Sequence, residues 1–139
     1  MKGPSSKDSL DISVANYEDV ILARQKAREL MQSMGFSLLA QTRMVTAVSE
    51  LARNMVVHAG RGQMSVNSVE KLNQKGIECI FQDKGPGIQN IDQALRQGFS
   101  TSNSLGLGLG GAKKLCAEFD IQTTVGKGTR VTIREWKTR

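Results

Sequence analysis

The sequence predicts a two-layer α/β sandwich, in which helices cover one face of a mixed, mostly antiparallel sheet. Two long stretches between residues 17 and 59 repeat apolar residues at helical spacing, and two pairs of strand-like stretches are each joined by a short turn. Short turns favour hairpins, so most strands should pair antiparallel. The length of 139 residues suits one core. We expect residues 1–9 to be a flexible N-terminus and residues 10–139 to form a single domain.

The first predicted elements are a strand and two helices. Residues 10–14 alternate in the manner of a strand, and residues 17–34 repeat apolar side chains at helical spacing. A second helix is expected from about residue 38 to residue 59, where Gly60 ends it. Its apolar stripe steps by four, three and four residues, which is typical of a helix with one buried side. The stripe consists of Met44, Val48, Leu51 and Met55.

The remaining elements are two predicted hairpins with helices between them. Each hairpin has a short turn that contains glycine, flanked by stretches typical of strands. The expected ranges are a strand at 63–72, a turn at 73–76, a strand at 77–83, a short helix at 90–98, a helix at 111–119, and strands at 120–125 and 129–136.

Composition argues against several classes of site. His58 is the one histidine in the sequence, so a zinc site or a triad built on several histidines is not expected. Cys79 and Cys116 lack metal-ligand spacing, and we expect reduced thiols in a cytoplasmic protein. No apolar run approaches the roughly 20 residues of a membrane-spanning helix, and the first ten residues do not resemble a secretion signal. We expect no membrane partner.

The formal net charge is +6. Such a charge fits nucleic acid, a phosphate cofactor or an acidic protein partner. The basic residues are scattered and aromatic residues make up 4% of the chain, so stacking platforms for single strands are scarce. We therefore expect no nucleic-acid partner.

The first candidate motif is ELARN at residues 50–54. Glu50 and Asn54 are four residues apart, so they share one face of the predicted helix. That face lies about 100° from the apolar stripe, which puts the pair at the edge of the core beside a cleft. The carboxylate can accept a proton, and the amide oxygen can bind a hard cation such as Mg²⁺. Taken alone, the pair also fits an exposed helix face.

The second motif is DKGPGI at residues 83–88. Asp83 ends an apolar strand, and its carboxylate can accept a hydrogen bond from an exocyclic amine. Gly85 and Gly87 would let a flat ring approach the backbone. The alternative is an ordinary turn after a strand.

The third motif is the stretch STSNSLGLGLGG, which leads into a predicted helix. Bare amides and a helix N-terminus together form a cradle for an anion. Lys113 and Lys114 are predicted to lie in the first turn, where a cation opposes the helix dipole but can hold phosphates. A flexible loop is the alternative. The candidate amides are those of Gly106, Gly108 and Gly110.

In this order, the three motifs resemble the N, G1 and G2 boxes of the GHKL ATPases, whose Bergerat fold occurs in gyrase, Hsp90, histidine kinases and MutL. The stretch GKGTRVTI resembles the closing strand motif of that family, and Thr129 matches its threonine. The likeness covers roughly residues 10–136. Within the family the chain is most similar to the anti-sigma-factor serine/threonine kinases and their stressosome switch kinases. One difference is GLGG, where related kinases often have a proline.

The resemblance implies ATP and Mg²⁺ as cofactors. By this likeness Asp83 accepts from the adenine amine, and Thr129 supports the adenine through water. Gly85 and Gly87 would pack against the base. Such a nucleotide would lie between the second helix and the glycine-rich lid.

The resemblance also implies roles at the phosphate end of the nucleotide. Asn54 would hold Mg²⁺, and Lys113 would help to bind the phosphates. Glu50 would orient or deprotonate the attacking hydroxyl, as phosphoryl transfer requires mainly alignment and charge neutralisation. The phosphate-binding amides would be those around Gly106, Gly108 and Gly110.

The implied acceptor is a serine or threonine of a STAS-domain protein in a bacterial stress-signalling complex. On release, the kinase would activate a PP2C-type phosphatase or another regulator. The alternative is a nucleotide-regulated switch that sequesters a sigma factor or another protein. The presence of Glu50 favours phosphoryl transfer, because a sequestering module needs no base.

Overall fold

A computed structural model describes residues 5–96 and 108–138, which form five strands and four helices. In chain order these are β1 (Ser5–Val14), α1 (Tyr17–Met34), α2 (Leu38–Ala59), β2 (Gly62–Lys71), β3 (Gln74–Asp83), α3 (Ile91–Ala94), α4 (Gly108–Leu115), β4 (Glu118–Thr124) and β5 (Gly128–Trp136).

The strands form one sheet with the order β1-β2-β3-β5-β4, and helices pack on it as the predicted α/β sandwich requires. All four described pairings are antiparallel, so the expected mixed character is absent from this part of the chain. The reason is that β5 lies between β3 and β4. Those two strands run in the same direction but do not pair with each other.

One cluster of buried side chains lies between the helices and the sheet. The predicted stripe of α2 is confirmed, since each of its four residues is at most 4% exposed. Alternation along the strands turns every second side chain toward the helices. The strand side chains in this cluster include Met64, Val66, Ile77, Cys79, Phe81, Val131 and Ile133. None of the described helices combines the length and apolar character needed to cross a membrane.

The predicted bounds of the two long helices are confirmed, and capping residues explain them. The Asn16 side chain accepts a hydrogen bond from Asp19 N at 2.9 Å and begins α1. Gly35 ends it in the left-handed conformation, with φ of 82°. The Ser37 hydroxyl accepts from Ala40 N at 3.1 Å and begins α2.

The first strand begins five residues earlier than the expected range of 10–14, because β1 begins at Ser5. Strand β2 is ten residues long, so it offers backbone partners as far as Glu70. The register shifts between Ser6 and Ser9. Because this part of β1 is polar, apolar alternation gave no sign of it.

The turn between β2 and β3 is shorter than expected. It consists of Leu72 and Asn73, which both have positive φ angles, and Lys71 pairs directly with Gln74. This is the two-residue hairpin that matches the twist of the strands. Leu72 is 89% exposed at its tip.

The helix expected at 111–119 begins and ends earlier, as α4 spans Gly108–Leu115. Glu118 and Phe119 instead pair with β5, which shows sheet pairing overriding helical propensity. The short helix expected at 90–98 is described over Ile91–Ala94.

Candidate functional site

A row of three polar side chains crosses the sheet where β3 ends. Asp83 on β3 pairs with Thr129 on β5, and Thr129 pairs with Thr123 on β4. Strand alternation puts this row on the same face as the buried Phe81 and Val131, which is the face that the helices cover. The structure therefore brings together Asp83 and Thr129, the two residues predicted to contact an adenine.

Thr123 joins this row to the loop that follows β3. Its Oγ1 lies 2.9 Å from Thr129 Oγ1 and accepts a hydrogen bond from Ile88 N at 2.9 Å. Sequence reasoning missed this residue. Two features of the sequence could have identified Thr123. It continues the alternation of Phe119 and Ile121 along β4, and the GKG turn sets the register that places it opposite Thr129.

The glycines of the DKGPGI stretch are required by packing within the protein. Asp83 Oδ1 accepts from Gly85 N at 2.8 Å, which holds the turn. A Cβ on Gly85 would lie 2.6 Å from the Cβ of Ala59, at the end of α2. Gly87 has a φ of 76°, and a Cβ there would lie 2.5 Å from the carbonyl oxygen of Thr124. Their contact with a flat ring stays a prediction.

Glu50 lies where α2 meets the start of α4. It is 8% exposed, and its Oε1 accepts a hydrogen bond from Gly108 N at 3.2 Å. A carboxylate at a helix N-terminus is favourable, because the helix dipole is positive there. The cationic Arg53 also lies close, with its Nη1 3.8 Å from Glu50 Oε2.

Asn54 lies one helical turn after Glu50 on α2 and is half-buried. Ala59, at the end of the same helix, contacts Gly85. From Glu50 to Ala59 is nine residues, or about 14 Å along the helix axis. Along the axis of α2, Asn54 therefore lies between the residue that contacts the start of α4 and the residue that contacts the loop after β3.

Gly108 and Gly110 belong to the first turn of α4, whereas Gly106 lies outside the described residues. The first four N–H groups of a helix have no partner within it, so both amides belong to that set. Gly110 is buried, and a Cβ there would lie 2.1 Å from the carbonyl oxygen of Leu95. The absence of a side chain at Gly110 is thus needed for packing against the end of α3.

The expected position of Lys113 and Lys114 is wrong, because both lie in the last turn of α4. The helix begins three residues earlier than predicted, which moves them to the end where a cation stabilises the dipole. Lys113 borders a hollow of about 470 Å³ at the β4 edge, beside Glu118 and Asp120. The argument for phosphate binding from a first-turn lysine therefore does not hold.

The donor set fits a metal ion that is held mainly by a nucleotide. Within residues 5–96 and 108–138, no group of three or more histidine, cysteine or acidic side chains could hold a metal ion. Asn54 offers one amide oxygen, and Mg²⁺ commonly completes its six oxygen ligands with substrate phosphates and water. This arrangement suits Mg²⁺ bound together with ATP.

Both cysteines are free, as predicted, and both are poor nucleophiles. Burial raises the pKa of Cys116 to about 12, and the Glu135 carboxylate adds to this effect. Burial also raises the pKa of Cys79, which lies in the core. At neutral pH both are protonated thiols, so neither serves the site.

Comparisons with known proteins identify the family of the chain. Residues 14–135 match the family model described as the histidine kinase-like ATPase domain. The chain is 42% identical over 129 residues to the serine/threonine-protein kinase RsbT of Bacillus subtilis, across 93% of this chain and 97% of that protein. It is 29% identical over 97 residues to an anti-sigma F factor of Caldanaerobacter subterraneus, across 66% of each chain.

A solved structure shows the same fold. The RsbU and RsbW domains of a Mycobacterium tuberculosis protein superpose with a TM-score of 0.67 at 20% identity. The match covers 96% of this chain, which spans 33% of that longer one. The family match and the 42% identical kinase together confirm the predicted family: the chain belongs to the histidine kinase-like ATPase family, in the serine/threonine kinase branch that includes RsbT.

Proposed function

We propose that this protein uses Mg-ATP to phosphorylate a serine or threonine of a STAS-domain protein in a bacterial partner-switching stress pathway. In its released form it activates a PP2C-type phosphatase or another regulator. One observation carries the kinase mechanism. The buried Glu50 carboxylate lies at the start of α4, one helical turn before Asn54 on the same face of α2.

The row at the end of β3 supports binding of the adenine. Asp83 has one oxygen engaged by Gly85 N, and a carboxylate has lone pairs left to accept a further hydrogen bond. The exocyclic amine of adenine is a donor that fits it. Thr129, directly opposite Asp83, supports the same ring edge.

The start of α4 supports binding of the phosphates. The amides of Gly108 and Gly110 belong to the first turn, where N–H groups have no partner within the helix, and such a turn attracts anions, as the Glu50 carboxylate on Gly108 N illustrates. Asn54 offers its side-chain oxygen to Mg²⁺. When bound, Mg-ATP supplies the γ-phosphoryl group and neutralises charge as the group is transferred.

Glu50 serves as the general base. Its Oε1 accepts a hydrogen bond from Gly108 N, and the remaining lone pairs of the carboxylate can take a proton from the substrate hydroxyl. Arg53, 3.8 Å away, holds the carboxylate near the cleft. The proposal that Lys113 helps to bind the phosphates loses its argument from the first turn, because Lys113 lies in the last turn of α4.

Phosphoryl transfer to a purified substrate tests this proposal. The protein is mixed with radiolabelled Mg-ATP and candidate STAS-domain proteins, and the product is mapped by mass spectrometry. We expect phosphoserine or phosphothreonine on the STAS protein and no stable label on the kinase. If none of the STAS proteins of the source organism accepts label while the kinase binds ATP, the proposed substrate class is wrong.

A nucleotide-regulated binding switch is the second candidate function. The anti-sigma F factor at 29% identity favours it. In that case the protein would capture a sigma factor in a manner that depends on nucleotide, and the +6 charge would favour an acidic surface. Pull-down of purified sigma factors with and without Mg-ADP separates this function from phosphoryl transfer.

The two free thiols support a reducing location, and we propose the cytoplasm.

A further inference from the structure

The hydroxyl of Thr123 has three hydrogen-bonding neighbours. Ile88 N donates to it at 2.9 Å, the carbonyl oxygen of Gly128 lies 3.2 Å away, and Thr129 Oγ1 lies 2.9 Å away. Thr123 thus contacts the loop after β3, the turn before β5 and a residue of the proposed adenine site.

Counting protons determines the direction of these bonds. A hydroxyl has one proton and two acceptor lone pairs. The Ile88 amide can only donate, so it occupies one lone pair of Thr123. The Gly128 carbonyl can only accept, so it takes the Thr123 proton. All three bonds form together only if Thr129 donates its own proton to the remaining lone pair of Thr123.

Thr129 consequently presents only lone pairs to its other side. Asp83, its direct neighbour on β3, is also an acceptor when it is ionised. A water molecule held between the two would donate one proton to each, and so would also accept from a ligand. With or without such a water, this edge of the site favours a ligand group that donates a hydrogen bond.

We propose that Thr123 is a positioning residue, which makes Thr129 an acceptor and so selects purines with an amino group rather than an oxo group at position 6. This inference rests on the proposed nucleotide site. Without the Thr123 hydroxyl, Thr129 can turn its proton toward the ligand and donate to an oxo group. The site would then discriminate less between the two kinds of purine.

Calorimetry with Mg-ATP and Mg-ITP, which carries the 6-oxo group, tests the proposal. We expect wild-type protein to prefer ATP by about tenfold or more, and Thr123→Val to reduce that preference by about tenfold, which is the value of one hydrogen bond. Thr123→Ser keeps the hydroxyl and should retain the preference. Thr124→Val alters the exposed neighbour on the opposite face of β4 and should leave it unchanged.

The readout is the ratio of the two affinities, because a merely structural role would weaken both nucleotides equally. An unchanged ratio in Thr123→Val, or equal binding of ATP and ITP by wild-type protein, overturns the inference. Wild-type protein that binds neither nucleotide overturns the proposed nucleotide site itself, which is a different result.

If Thr123→Val does not fold, as judged by circular dichroism, Thr129→Val provides the test. Removing the acceptor itself should lower the preference for ATP by a similar factor, and an unchanged preference overturns the inference. Where both variants fold, the double variant should behave like Thr129→Val alone, because Thr123 acts through Thr129.

Discussion

At the base end of the candidate site, Asp83, Thr129 and Thr123 are neighbours on three paired strands. At the phosphate end, Glu50 and Gly108 come from two helices and are joined by one hydrogen bond of 3.2 Å. Strand register allows no small adjustment, because a shift of one residue turns every side chain to the other face. A helix of eight residues can move by a fraction of a turn. The fold therefore fixes the base end more firmly than the phosphate end.

This difference suits the two tasks. Recognition of a flat base requires acceptors at fixed positions, whereas the alignment needed for phosphoryl transfer is commonly completed by closure around the substrate. Four substitutions test whether the two ends are as separate as this comparison suggests.

Glu50→Gln should have the largest effect. The glutamine keeps an oxygen that accepts from Gly108 N but cannot take a proton, so we expect phosphoryl transfer to fall by about 10³-fold. Mg-ADP affinity, measured by calorimetry, should stay within about twofold of wild type, since the amide contact is retained. Transfer at the native rate would show that Glu50 is not the base.

Gly128→Ala should break the base end. Gly128 has a φ of 137°, and a Cβ there would lie 2.1 Å from the carbonyl oxygen of Asp83. We expect the free energy of unfolding to fall by about 3 kcal/mol. Gly126→Ala, in the same turn, is the matched control, because no atom lies within 4 Å of its added Cβ. It should cost about 1 kcal/mol from its positive φ alone. Equal losses in urea titration would contradict the close approach.

Asp83→Asn should weaken nucleotide binding without changing the fold. The side chain keeps an oxygen for Gly85 N but loses the charged acceptor, so Mg-ADP should bind about 100-fold more weakly. Asp120→Asn changes an exposed carboxylate at the β4 edge and serves as the control. Normal nucleotide affinity in Asp83→Asn would mean that the base lies elsewhere.

Glu118→Gln should have the smallest effect, because it lies outside both ends. Partial burial acts to raise the pKa of Glu118, but hydrogen bonds from Trp136 and Arg134 outweigh it and hold the pKa below its ordinary value. These hydrogen bonds stabilise the fold fully at pH values above the ordinary pKa of glutamate. Their stabilisation is lost as the pH falls through the lowered pKa of Glu118. Because the Glu118 side chain is 41% exposed, we expect the free energy of unfolding to fall by no more than about 0.5 kcal/mol.

Thermal unfolding of Glu118→Gln at several pH values checks this. The difference from wild type should be present at pH 7 and shrink as the pH falls below the ordinary pKa of glutamate. If the stability difference between the variant and wild type grew as the pH fell, the prediction of a lowered pKa for Glu118 would be wrong. Nucleotide affinity should not change at either pH.

The two long helices could be predicted to the residue because the signals were local. Their apolar spacing lies within each helix, and the stop at Gly35 and the cap at Ser37 directly flank the helices. The order of the three boxes likewise identified Glu50, Asn54 and Asp83, and the structure places these on α2 and at the end of β3.

Features that depend on distant partners could not be predicted in this way. The polar start of β1 exists because β2 is long enough to pair with it. The start of α4 depends on contacts of Gly108 with Glu50 and of Gly110 with Leu95, so Lys113 was assigned to the wrong end of the helix. Thr123 becomes visible only once the register of β4 on β5 is known.

The exposed hairpin tip at Leu72 offers a place to attach a reporter. Its neighbour Gln74 begins β3 and Asp83 ends that strand, so the tip is about 30 Å from the nucleotide site. A cysteine introduced by Leu72→Cys would react with maleimide dyes ahead of the native thiols, because Cys79 is buried and the pKa of Cys116 is about 12. Fluorescence anisotropy of such a labelled kinase would follow its association with each partner while leaving the cleft untouched.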